Sequence, residues 1–262
     1  MSPVVSKIRT QRKPVVIGNW KMNVNKSLVN EIIGFLREAE LSASIDTVVG
    51  VPSIYLDYVS QRLPKKIEIA AQNCYKVAKG AFTGEISTNM LKEVAAVKYI
   101  ILGHVERRNI FREDNELVGE KIAHALTEGF NVIACVDDHI DENCDDNAGQ
   151  SEGVLFKQLA SIVKNVNDWS RVVIAYDSIQ ATRTNIPVSP DNVQRVHVAI
   201  RAFLADNVGQ QVANEIRIIY GGCVNAKNCR KFAAQPDIDG FLVGSAALRR
   251  EFITIVHSLS DK

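Results

Sequence analysis

Eight short runs of aliphatic and β-branched residues recur along the chain, and they constrain its fold more than any other feature. They are Val15–Ile17, Thr47–Val51, Ile67–Ala71, Tyr99–Leu102, Val132–Val136, Val172–Tyr176, Ile216–Tyr220 and Gly240–Val243. Each is nearly continuous in apolar character, the pattern of strands buried on both faces of a parallel sheet. Parallel neighbours need long crossover connections, and the intervals supply them. Leu28, Ile32, Phe35 and Leu36 keep helical spacing, as do Leu117, Lys121, Ile122, Ala125 and Leu126, with Gly129 as the expected C-cap. Ser189-Pro190-Asp191 reads as N-cap, first-turn proline and first-turn acid of a helix reaching about Asp206. A last helix is expected from near Ser245 to near Leu259.

Eight units in 262 residues give about 33 residues each, the length of one strand–helix unit. Crossovers are right-handed, so eight such units close into an α/β barrel of the (β/α)8 type, folded as a single domain. An open doubly wound sheet fits the same string. Against it, the Gly-x-Gly-x-x-Gly of such sheets is missing after the first run, where Gly18-Asn19-Trp20-Lys21 stands. The expected division is a basic tail over 1–13, carrying Lys7, Arg9, Arg12 and Lys13 and no acid, then one barrel domain over 14–262. An organellar address is the alternative reading of that tail; it has no apolar secretory stretch.

The charge balance narrows the partners. Thirty-one basic and 30 acidic residues leave a net charge of +1, which gives no electrostatic reason to expect nucleic acid or an anionic membrane. No run approaches the roughly 18 apolar residues of a membrane span. Cys74, Cys135, Cys144, Cys223 and Cys229 form an odd, sparse set, read as reduced thiols of a cytoplasmic protein. The six-residue step from Cys223 to Cys229 is not a zinc spacing. Segment 137–147 reads as a polar, acidic, solvated loop.

In either architecture function lies beyond the carboxyl ends of the strands. Lys21 follows the first run, either as a snorkelling surface lysine or as the partner of an anion. His104 follows the fourth, ahead of Glu106, Arg107 and Arg108. Asp177 follows the sixth, as general base or as N-cap of the next turn. Gly221-Gly222 and Gly244-Ser245 follow the seventh and eighth, where barrels bind phosphate. A lysine, a histidine, a carboxylate and an anion nest on one rim point to proton transfer on a small phosphorylated carbonyl compound.

Longer motifs carry a family resemblance. Gly18-Asn19-Trp20-Lys21-Met22-Asn23, Ala71-Gln72-Asn73-Cys74, 80–87 (GAFTGEIS), Ile101-Leu102-Gly103-His104, Glu106-Arg107-Arg108 and Tyr220-Gly221-Gly222 closely resemble the triosephosphate isomerase family, in the same order from about Lys13 to the C-terminus. The resemblance implies a TIM barrel that interconverts dihydroxyacetone phosphate and glyceraldehyde 3-phosphate through an enediolate. It implies that Asp177 stands where the family's glutamate base belongs, that a neutral His104 polarises the carbonyl, and that Lys21 offsets substrate charge beside Asn19. Glu106 would hold the lysine. Substrate binding would fall to Asn19, Lys21, Arg183, Cys223, Gly244 and Ser245. No metal or organic cofactor is implied. The family is a homodimer, whose third loop, here about 74–87 with Thr83 at its tip, inserts next to the partner's lysine.

The departures from the family cluster on one side of this site. Asp177 replaces glutamate, and 178–185 (SIQATRTN) replaces the proline hinge and glycine-rich lid, with Arg183 and Asn185 at two glycine positions. Cys223 replaces a phosphate-binding serine, Ser245 a glycine and Val105 a serine that contacts the resting carboxylate, while Asp138 stands for a glutamate. Two expectations follow: an isomerase of reduced rate with Asp177 as base, or an inactive paralogue that binds a phosphate ligand or forms dimers. An aldolase-like barrel would want a Schiff-base lysine deep in a strand or a metal cluster, and the sequence suggests neither.

Overall fold

In the computed structural model the described residues are 12–94, 96–138, 148–179, 188–260 and 262. Eight strands form the sheet: β1 Val15–Asn19, β2 Asp46–Val51, β3 Glu68–Ala71, β4 Val97–Leu102, β5 Asn131–Asp137, β6 Val172–Asp177, β7 Arg217–Gly221 and β8 Gly240–Val243. They pair in chain order, all parallel, and β8 returns to β1, with Val15 opposite both Asp46 and Gly240. The sheet is therefore a closed (β/α)8 barrel, and the open doubly wound alternative is set aside.

The alternation hidden inside those apolar runs appears as two cores. Ile17, Val48, Ile101, Ile133, Cys135, Val173, Ala175, Ile219 and Leu242 fill the barrel interior. Their strand neighbours, such as Val16, Val49, Ile100, Ala134, Ile174 and Ile218, face outward and pack under the helices. Each strand is buried on both faces along most of its length, which is why its polar residues fall near its ends, as Lys98 does in β4.

The described helices are α1 Lys26–Glu38, α2 Leu56–Ser60, α3 Thr88–Lys92, α4 Val105–Asn109, α5 Asn115–Thr127, α6 Ala148–Asn165, α7 Pro190–Asn207, α8 Gln210–Glu215, α9 Cys229–Ala233 and α10 Glu251–His257. Their caps are local and legible. Asn25 accepts from Leu28 N at the start of α1, Asp114 from Leu117 N at α5, and Ser189 from Asn192 N at α7, where Pro190 takes the first helical position. Gly129 closes α5 with φ +93 and donates its N–H to Leu126 O.

Two expectations are corrected. The last helix is broken: a 3-10 turn, Ser245–Leu248, precedes α10, with an extended Arg249 near the break. The turn is held because Ala246 and Ala247 are buried, Ala247 against the bare backbone of Gly18 on β1. The acidic segment from Asp137 is not solvated at its start. Asp137 is the last residue of β5 and is 1% exposed, and Asp138 accepts hydrogen bonds described below. Residues 139–147, Cys144 among them, lie outside the described residues, as does 180–187 with Arg183 and Asn185. The tail's last basic residues meet the barrel floor: Arg12 pairs with Asp239 at 2.7 Å and Lys13 with Asp46 at 2.5 Å.

Candidate active site

Strand register places the candidate residues in one layer. Asn19 ends β1, Asp137 ends β5, Asp177 ends β6 and Gly221 ends β7, all at positions whose side chains or bare faces turn inward above the interior core. Asn19, Lys21, His104, Asp177, Gly222, Cys223, Gly244 and Ser245 line a single cavity of about 500 Å³. Glu106 borders an adjoining groove of about 320 Å³, which shares Asn19, Lys21 and His104 with it. Lys21 is thus not a snorkelling surface residue. Its Nζ donates to Glu106 Oε1 at 2.6 Å, with the side chain about a quarter exposed.

The backbone at Lys21 is strained: φ is +50, a region that L-residues with side chains rarely enter. Two side chains hold it there. Asn19 Oδ1 accepts from Lys21 N at 3.1 Å, and Gln72 Nε2 lies 3.1 Å from Asn19 Oδ1, 3.1 Å from Lys21 O and 3.0 Å from Gly50 O. Sequence pattern alone gives Gln72 no role. Its signal was there: it follows the apolar run of β3 directly, at an inward position.

His104 is the N-cap of α4, and its Nδ1 accepts the backbone N–H of Glu106 at 3.3 Å. That bond leaves Nδ1 without a proton, so the neutral ring carries its proton on Nε2. Nε2 faces Asp177 Oδ2 at 3.8 Å. Burial, reinforced by the nearby Lys21 ammonium and opposed by Glu106, pushes the histidine pKa down to about 4. The ring is therefore a neutral donor at physiological pH.

Asp177 carries the opposite perturbation. Burial raises its pKa to about 7; Lys21 lowers it, and Asp137, Glu106 and Asp138 raise it. Its Oδ2 has no hydrogen-bond partner among the described residues. Its Oδ1 lies only 1.9 Å from where a side chain at Gly221 would begin, so the carboxylate occupies space that only glycine leaves free. Asp138 fixes the chain as it leaves β6: Oδ1 accepts Ile179 N at 2.9 Å and Oδ2 accepts the Tyr176 hydroxyl at 2.7 Å.

The far wall of the cavity is Gly222, Cys223, Val224 and Asn225 after β7, and Gly244, Ser245, Ala246 and Arg249 after β8. Val224 N donates to Gly222 O at 2.8 Å, making a tight turn there. Cys223 is half-buried, and burial raises its thiol pKa. Arg249 and Asn225 were not singled out on sequence; Arg249 lies in what read as a regular helix. Thr83 stands apart from the cavity, exposed, on a loop closed by Tyr75 N donating to Ile86 O at 2.8 Å and by Phe82 against Tyr75.

A closed parallel eight-stranded barrel with a cavity at the carboxyl ends of its strands has the architecture of the barrel enzymes that work at that rim. The family model of triosephosphate isomerase matches residues 14–259. The chain belongs to the triosephosphate isomerase family, a family of isomerases.

Proposed function

We propose that this protein interconverts dihydroxyacetone phosphate and glyceraldehyde 3-phosphate. The observation that carries the reading is the shared cavity, with His104 Nε2 and Asp177 Oδ2 3.8 Å apart and the Lys21 ammonium beside them. In this reading the Asp177 carboxylate takes a proton from the carbon beside the carbonyl. The two electrons of that C–H bond move onto the carbonyl oxygen, giving an enediolate. His104 donates its Nε2–H to that oxygen as charge develops, and Lys21, held by Glu106, offsets the added negative charge. Asp177 then returns its proton to the neighbouring carbon, while the hydroxyl on the first carbon gives up its proton, by way of His104, to the oxygen that carried the charge, so that the carbonyl re-forms on the first carbon. The substrate's own carbonyl acidifies the proton, so the reading calls on no cofactor or metal. The phosphate would lie against Gly222, Cys223, Gly244 and Ser245, with Asn19 beside the lysine and Arg183 as a further phosphate contact.

Asp177 is one methylene shorter than the family's glutamate, and a shift near 1 Å can cost on the order of a hundredfold in rate. The proposed turnover is therefore reduced. A coupled isomerase assay on the purified protein tests this, with Asp177→Glu as the informative variant. The expected outcome is measurable turnover that rises by about ten- to a hundredfold in the variant. Absence of turnover in both proteins, with triose phosphate still bound, would replace the reading by that of an inactive, phosphate-binding paralogue.

The assembly we propose is a homodimer in the cytoplasm, where sparse thiols stay reduced. The support is an apolar rim on the groove beside Lys21. Met22 is 92% and Phe111 62% exposed there. Among the described residues no helix is long and apolar enough to cross a membrane.

A further inference from the structure

Asp137 stands in the same inward layer as the proposed base. The ladder pairs Asp137 with Asp177 at the last register of β5 and β6. Two residues back on each strand, Cys135 and Ala175 belong to the barrel interior, and residues two apart share a face. Both carboxylates therefore turn inward from adjacent strands, whose backbones run about 5 Å apart. Asp137 is 1% exposed and Asp177 6%.

Arg108 approaches Asp137. It folds back from α4 across Gly103, donates to Gly103 O at 2.8 Å and Cys135 O at 3.3 Å, and brings Nε to 3.9 Å from Asp137 Oδ2. A side chain at position 103 would start 2.9 Å from that guanidinium, so the glycine makes room for it. The two carboxylates are thus unequal. One faces a buried guanidinium that stays charged at any working pH; the other lines the cavity, its Oδ2 3.8 Å from His104 Nε2.

We propose that Asp137, held ionised by Arg108, is a positioning residue: it acts through Asp177 as a fixed negative charge that makes the shortened acid a stronger base. The inference rests on Asp177 being the base. A like charge beside a carboxylate disfavours its ionisation, and a base is most effective when its proton affinity matches the working pH. The charged and titratable groups around Asp177 come from every side. They are Lys21 after β1, His104 and Glu106 after β4, Cys135 and Asp137 from β5 with Asp138 just beyond it, and Tyr220 and Cys223 from β7 and the turn beyond it. Lys21 pulls toward ionisation; among the carboxylates, Asp137 opposes it most. A base of raised affinity offsets part of what the missing methylene loses in reach.

The test is a carbon-13 carboxyl NMR titration of the full-length protein, with the Asp177 signal assigned from Asp177→Asn. It needs no turnover, so it stands apart from the outcome of the isomerase assay. The expected result is a midpoint near neutral pH that falls by about one pH unit in Asp137→Asn. The acidic limb of kcat/KM should move by the same amount. A merely structural role would change stability or KM and leave the midpoint in place, and an unmoved midpoint overturns the proposal. Should that variant fail to fold, the unmodified protein decides. Asp137 should stay ionised from pH 5 to 9 while its signal shifts as Asp177 titrates; proton uptake by Asp137 itself in that range overturns the proposal.

Discussion

Asp177 and His104 are perturbed in opposite directions by the same burial, and that opposition sets a neutral imidazole beside a carboxyl group that titrates near pH 7. It also has a stability consequence. Asp177 ionises near pH 4 in the unfolded chain and at about 7 in the native protein. Between these values the native state holds a proton that the unfolded state has lost, so stability falls as pH rises through 7. Asp177→Asn keeps the shape without the charge. Thermal unfolding should show a gain on the order of 4 kcal/mol at pH 8, shrinking as pH falls toward 4; an equal gain at pH 5 and pH 8 would contradict the assignment. Replacing His104 by Gln should lower kcat by about a hundredfold or more with little change in fold, read by steady-state assay and circular dichroism. At this scale the sequence named the chemistry but not its support. Lys21, His104 and Asp177 were visible as polar residues behind apolar runs. Gln72 and Asp137 were not, because their roles come from strand register, which brings together residues 53 and 40 apart in sequence.

At the scale of elements, α4 carries His104 and Glu106 but is only five residues long, and it depends on its neighbours. Arg107 of α4 pairs with Glu113, which also pairs with Lys121 on the buried face of α5; Lys121 Nζ in turn lies 3.3 Å from Asn73, at the root of the 74–87 loop. Lys121 and Glu113 are 1% and 4% exposed, so their pair is sealed from solvent, while Arg107 reaches the surface. Lys121→Ala leaves Glu113 short of a partner in a dry site. It should lower unfolding free energy by about 3–5 kcal/mol in a urea titration; a change below about 1 kcal/mol would show that water reaches the network. Helical periodicity exposed most of this element. Lys121 falls on the apolar stripe of α5, a charge where the spacing asks for a core residue, and the buried acid that answers it explains why. The spacing of the last helical segment is helical on both sides of a break that tertiary packing on Gly18 imposes, so periodicity alone reads it as one helix.

At the scale of the molecule, eight strand–helix units and a rim site were legible because parallel strands buried on both faces leave an unbroken apolar signature. Closure itself was not in any one run; it follows from β8 meeting β1. The same scale carries the assembly. Sedimentation should give a dimer, and Thr83→Arg, which places a long charge at the exposed loop tip, should give monomers of reduced activity; a wild-type monomer would refute the homodimer. The account as a whole turns on proton transfer at carbon by the Asp177 carboxylate. Dihydroxyacetone phosphate incubated with the protein in D2O and followed by proton NMR reads that step directly. The account predicts deuterium entering the carbon beside the carbonyl and appearing in glyceraldehyde 3-phosphate, and its loss in Asp177→Asn. Substrate that stays fully protonated with the unmodified protein, or exchange that survives Asp177→Asn unchanged, would contradict it.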